Sequence, residues 1–134
     1  MKTKNSIIDT YTTIYYIDIV VANKYTTLEQ LKELYTYSDG DELDEGIMNC
    51  QCTTSTCTRK SDNKSVLLIK HNNESHIKGI DKRVDLINTA AHEACHATLD
   101  IYEAIQQKVC NCSPEPFCYL LAYITECIYK TLRK

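Results

Sequence analysis

An α+β domain is the fold class that the sequence predicts, on three patterns. β-branched and aromatic residues crowd positions 7–22, an apolar quartet at Val66, Leu67, Leu68 and Ile69 follows a turn-forming cluster, and two helical stretches close the chain. The expected order is β-α-β-β-α-α: a short, mainly antiparallel sheet, a long helix packed on it, and a C-terminal helix beside that helix.

The first strand is expected over residues 12–21, where Ile, Val, Tyr and Thr suit a pleated surface. Thr26 and Thr27 then offer a cap, and Leu28, Leu31, Leu34 and Tyr35 recur at helical spacing, so a short amphipathic helix comes next and ends at Ser38-Asp39-Gly40. The acidic run over residues 39–45 lacks the carboxylate spacing of a calcium loop and reads as a solvated connection. Residues 46–60 form an irregular extended segment, and Ser61-Asp62-Asn63-Lys64 turns it into the buried strand at residues 66–69, which makes a hairpin. His71 and His76 fall in a polar loop after it, where solvation is their expected state and an approach to the site to bind substrate the alternative.

Asp81 is placed to cap the long helix, whose core face is expected at Val84, Ile87, Ala91, Ala94, Ile101 and Ile105. That helix should end near Gln107-Lys108. Ser113-Pro114 then looks like an N-cap with proline in the first turn, and Phe117, Leu120, Leu121, Ile124, Ile128 and Leu132 line one face of the final helix. The short connection implies antiparallel packing of the two helices.

A chain of 134 residues suffices for one core, so a single domain over residues 1–134 is expected. The net charge of -3 and the lack of a Lys/Arg run argue against a nucleic-acid partner. Nothing approaches the roughly 20 apolar residues of a membrane span. The start, Met1-Lys-Thr-Lys, is positively charged, but Asp9, Asp18 and several threonines interrupt the segment after it. No export signal is therefore expected, and a cytoplasmic protein is. The pattern fixes no oligomeric state.

Eight cysteines at 50, 52, 57, 95, 110, 112, 118 and 127 are then expected as reduced, small apolar side chains. A second metal site from Cys50, Cys52 and Cys57, or from Cys110, Cys112 and Cys118, lacks paired Cys-x-x-Cys knuckles. Cys95 has no arranged base and is a poor nucleophile.

One stretch names a reaction: His92-Glu93-Ala94-Cys95-His96, inside the long helix. Histidines four apart rise about 6 Å along the axis and project from one face, as two ligands of one zinc ion must. Glu93 would then meet an attacking water and suits a general base in hydrolysis. With four histidines in the chain, such a motif arises by chance in about one sequence in a hundred of this composition. The two rings should sit at the edge of the buried stripe, against the sheet but within reach of water.

A catalytic zinc needs a third protein ligand. Asp100 continues the same face, but one straight helix cannot easily give all three, so it is expected to support His96 by a hydrogen bond. On the last helix Glu115 is the preferred candidate, because the helix dipole favours an ionised carboxylate in the first turn and the short loop can fold that turn back. Glu126 is the other candidate, should the packing offset differ. Tyr102 and Tyr119 are candidate donors to a developing oxyanion.

These residues carry a resemblance. His92-Glu-Ala-Cys-His96 with Glu115, nineteen residues further on, resembles the gluzincin arrangement of zinc metallopeptidases. The stretch over residues 86–128, with Thr-Ala-Ala-His-Glu-Ala-Cys-His-Ala and then Glu-Pro-Phe-Cys-Tyr-Leu-Leu-Ala-Tyr-Ile, also looks like small zincin-like proteins encoded by bacteriophages. The resemblance covers about a third of the chain. It implies a minimal zincin-like domain, Zn2+ held by His92, His96 and Glu115, Glu93 as the base, and a peptide or protein substrate. The chain is small for a gluzincin and leaves little room for a substrate-binding domain. The competing expectation is a non-catalytic binding or structural protein whose zinc only stabilises the helix pair.

Overall fold

The computed structural model describes residues 4–134; residues 1–3, in the positively charged start, lie outside it. Five strands and three α-helices are formed among the described residues: β1 (Ile8–Tyr11), β2 (Asp18–Ala22), α1 (Leu28–Leu34), β3 (Tyr35–Tyr37), β4 (Cys52–Arg59), β5 (Ser65–His71), α2 (Lys82–Ala104) and α3 (Glu115–Leu132). The sheet order is β1-β2-β5-β4-β3. Only β2 and β5 pair in parallel; the other three pairings are antiparallel, so the sheet is mixed but mainly antiparallel.

The expected strand at residues 12–21 is in fact half of a hairpin. Thr13 breaks it, because its hydroxyl donates to the Ile17 carbonyl and accepts from the Tyr15 amide, and Tyr16 takes a left-handed φ of 60°. The chain before the break pairs with the chain after it as β1 and β2. A second strand that the apolar pattern missed is β3, three residues that continue directly from α1 and pair with β4. The helix α1 opens on a capping box between Thr27 and Gln30. The acidic loop contains a one-turn 3-10 helix (Glu45–Met48), capped by Asp44.

Strands β2 and β5 are buried on both faces, which explains their continuous apolar runs. On one face Ile19, Val21, Leu67 and Ile69 pack under α2 and α3; on the other Val20, Ala22, Val66 and Leu68 meet Leu31, Tyr35, Leu43 and Ile47. Helix α2 lies over β4, and α3 lies over β2 and β1. The α3 end is fastened to β1 through Thr131, which donates to Asp9, and through a Tyr11–Thr131 hydroxyl pair.

The inward face of α2 differs from expectation. Ala90, Ala94, Ala97, Thr98 and Ile101 are buried, whereas Val84 and Ile87 are half exposed and Ala91 is exposed. The buried positions are mostly alanines, whose small side chains let the helix backbone sit close to the sheet. The helix also stops earlier, at Ala104, and α3 begins at Glu115 with Pro114 as its N-cap and no side-chain cap. His71 is not in a loop: it ends β5 and is buried, which holds its pKa below the ordinary value, with Lys24 and Lys70 adding to the effect. No helix among the described residues is long and apolar enough to cross a membrane.

One cysteine expectation is corrected: Cys110 and Cys112 form a disulfide, their Cα atoms being 5.4 Å apart and so within bridging range. Cys52, Cys57 and Cys127 are buried thiols as expected. Cys52 belongs to the α2 side of the sheet and Cys57 to the other, so those two cannot share a metal ion.

Lys70 is the one lysine buried completely, at 0 % exposure, among the described residues. Its ammonium donates to the carbonyls of His71 (2.7 Å) and Asn23 (3.1 Å), with no carboxylate partner. Burial pushes its pKa down to about 8 from 10.5. Between those values the unfolded chain binds more protons than the folded one, so Lys70 makes stability rise with pH across that window and costs about 3 kcal/mol below it. Lys70→Met should therefore be most stabilising near neutral pH, with its advantage over the parent shrinking as pH climbs from 8 towards 10. Urea titrations of both proteins across that range test this; a pH-independent difference would refute it.

Candidate active site

The axial period of α2 sets the site. Asp85, Thr89, His92, Glu93, His96 and Asp100 fall in a strip about 100° wide along that helix, beside its alanine face. The strip is turned towards β4 at Thr89 and Glu93. The Gln51 amide donates to Thr89 (3.1 Å), and the Thr54 hydroxyl donates to Glu93 Oε2 (2.5 Å). Because Cys52 and Thr54 are two apart in a strand, both face α2.

His92 and His96 are exposed, yet their rings converge: the two Nε2 atoms are 3.2 Å apart, with the rings edge to face. Two nitrogens bound at about 2.05 Å to one tetrahedral zinc lie about 3.3 Å apart, so the pair already has the spacing of one edge of such a site. Without a metal the same approach is closed by a proton, one Nε2–H donating to the other. Glu93 is the inner member of the motif, 5 % exposed, with Oε2 held by Thr54 and Oε1 4.0 Å from His92 Nε2. Its carboxylate thus lies under the edge of the histidine pair.

The structure does not bring Glu115 to the histidines. Tyr102 of α2 stacks edge to face on Phe117 of α3, which sets the first turn of α3 beside the last turns of α2. Tyr102 is six residues past His96, about 9 Å further along the axis and about 120° around it. Glu115 is therefore displaced from the pair both along and around the helix. Glu126 instead pairs with Lys130 at 2.8 Å. Among the described residues no third His, Cys, Asp or Glu stands with the two histidines in a group able to hold a metal ion. Asp100, whose carboxyl is pushed up by burial and drawn back in part by His96, makes no hydrogen bond to that ring. Tyr102 is buried on Phe117, and Tyr119 lines a separate groove with Tyr15 and Tyr123, so neither is placed as an oxyanion donor.

A cleft of about 340 Å³ opens beside His92 and Glu93. Thr89 and Asp85 continue its α2 side, Cys52 comes from the start of β4 and Cys50 from just before it, and Ile77 and Ile80 from the connection to α2. Burial, with the Glu93 charge adding to it, holds the Cys52 thiol far above its ordinary pKa. Of these partners, Asp85 was missed in the sequence, although its helical spacing, seven residues before His92, could have found it. Thr54 gave no such signal, because its place opposite Glu93 depends on how β4 pairs with β5.

No protein-family model matches the chain, and no curated protein or solved structure matches it either.

Thr54→Val should destabilise the fold by about 1–3 kcal/mol, since it strips a buried carboxylate of its hydroxyl donor while keeping the volume. In a Glu93→Gln background the loss should be smaller, because the neutral amide needs that donor less. A double-mutant cycle by urea unfolding measures the coupling; strictly additive effects would refute the contact.

Proposed function

We propose that the protein is a zinc-dependent hydrolase of the zincin kind that cleaves a peptide or related amide bond, with His92 and His96 as ligands and Glu93 as general base. The observation that carries the proposal is the convergence of the two exposed Nε2 atoms to 3.2 Å, with the buried Glu93 carboxylate 4.0 Å from His92 Nε2. A metal there would supply Lewis acidity, polarising the scissile carbonyl and making water a better acid. The chain's own part is proton transfer. Glu93 takes the proton of the attacking water at Oε1, while Thr54 holds Oε2 and fixes the plane of the carboxylate. It then returns that proton to the leaving nitrogen. The resemblance of residues 86–128 to zincin-like proteins points the same way, although the third-ligand role it implies for Glu115 is the part that the geometry supports least.

The competing reading is a zinc that merely fastens the two helices; it needs a ligand from α3, as the hydrolase needs a third ligand, and among the described residues no α3 group stands with the histidine pair. What favours the hydrolase is the buried Glu93 beside His92, which a fastening zinc does not use.

Elemental analysis of the purified protein should find about one zinc per chain, lost in His96→Ala and kept in Glu93→Gln. Glu115→Gln should cost less zinc than either histidine change. With casein or a mixed peptide library as substrate, Glu93→Gln should lower turnover by at least a hundredfold. Failure to take up zinc even after reconstitution would end the proposal; zinc uptake with equal turnover in Glu93→Gln would remove Glu93 from its role.

A further inference from the structure

The cleft beside the histidines has a chemical bias that the motif alone does not give. Its α2 side carries two carboxylates, Glu93 and Asp85, and no lysine or arginine lines it among the described residues. Asp85 is 7 % exposed, and only one of its oxygens is engaged: Oδ2 accepts from the Ser75 amide at 3.0 Å. No hydrogen bond is made to Oδ1 among the described residues, and Asp85 lines the cleft. Lys78 and Lys82 are nearby in sequence but exposed, and neither faces the cleft. A nearly buried carboxylate with a free oxygen and no cation is a site awaiting a positive group.

Distance selects the kind of cation. Asp85 precedes His92 by seven residues, about 10 Å along the helix axis. A free amino terminus on the residue whose carbonyl reacts lies within about 5 Å of that carbonyl and falls short of Asp85. An extended arginine or lysine side chain reaches about 7 Å from its Cα, which together with a hydrogen bond spans the gap. The cleft volume, at the small end for ligand pockets, suits one such side chain, and Ile77 and Ile80 offer apolar surface for its methylenes.

We propose that this cleft receives a lysine or arginine side chain adjacent to the scissile bond, and that Asp85 is the residue that selects it. The proposal rests on the hydrolase reading for its catalytic consequence, but the binding preference stands on the cleft itself. The metal-free protein is titrated with Nα-acetyl-arginine N-methylamide and with its neutral citrulline counterpart, and amide chemical shifts are followed by NMR. Arginine should bind at least tenfold more tightly, with the Ser75, Ile77 and Asp85 amides shifting together. Asp85→Asn keeps the size and an acceptor for Ser75, and should collapse the arginine-to-citrulline ratio towards one. Asn88→Lys, at an exposed position on the cleft, should weaken arginine binding without touching the buried carboxylate. Equal binding of the two compounds, or no shifts at the cleft with either, overturns the proposal. In parallel, zinc-loaded protein is given peptides that differ only as arginine or citrulline beside the cleaved bond. Cleavage without preference removes the selecting role of Asp85 and leaves the hydrolase intact. Selective binding with no peptide cleaved leaves the cleft assignment standing and sinks the hydrolase.

Discussion

The close seat of α2 on the sheet is the constraint on which the rest of the site depends. Ala90, Ala94 and Ala97 contribute almost no side-chain volume, so the backbone of α2 approaches β4 and β5 more nearly than leucines would allow. At that distance the next residue round the helix, Glu93, is buried against Thr54 instead of reaching water. One further step round, His92 and His96 clear the sheet and stay exposed. Acid below and imidazoles above are thus consequences of one helix rotation, and larger residues on the alanine face would alter both at once.

The same seat explains why the site is polarised. Asp85, Glu93 and Asp100 lie along one strip of α2, and where that strip meets β4 the Thr54 hydroxyl donates to Glu93 while the nearby Gln51 amide donates to Thr89. A hydroxyl donor on Glu93 and a backbone amide donor on Asp85 satisfy one oxygen of each carboxylate and bring no cation to it. Asp85 also lies in the first turn of α2, where the helix dipole favours an ionised acid. The Ser75 amide that binds it belongs to the connection bearing Ile77 and Ile80. One hydrogen bond therefore holds the outer wall of the cleft in register with the helix that supplies its chemistry.

How much of this was legible depends on whether a feature is local or relational. The threonine cap of α1, the cap at Asp81 and the turn at residues 61–64 depend on near neighbours only, and each is where the pattern put it. Residues 12–17 misled because their β-branched and aromatic content suits a strand, while a single threonine hydroxyl closes a turn that propensity does not register. Strand β3 was invisible because three residues carry too little periodicity. In the site, the spacing of His92, Glu93 and His96 on one helix was readable, whereas the place of α3 relative to α2 was not. The Tyr102–Phe117 contact decides that placement, and it separates Glu115 from the pair that the sequence spacing had joined to it.

The exposure of the histidines bears on what kind of centre this is. A metal that serves only stability is normally enclosed, with four protein ligands that leave no position for solvent. Here both rings are exposed on α2, and the cleft opens beside His92. Two ligands from one helix would add little to the fold, because they join no separate elements and constrain a segment that its own backbone hydrogen bonds already order. The buried glutamate is the costly part of the arrangement. A carboxylate held away from water beside two imidazoles, with a single hydroxyl donor on one oxygen, is poorly explained by packing, since an apolar residue would fill the same space at less cost. The proton transfer proposed for Glu93 would use such a group, since Thr54 engages only one of its oxygens.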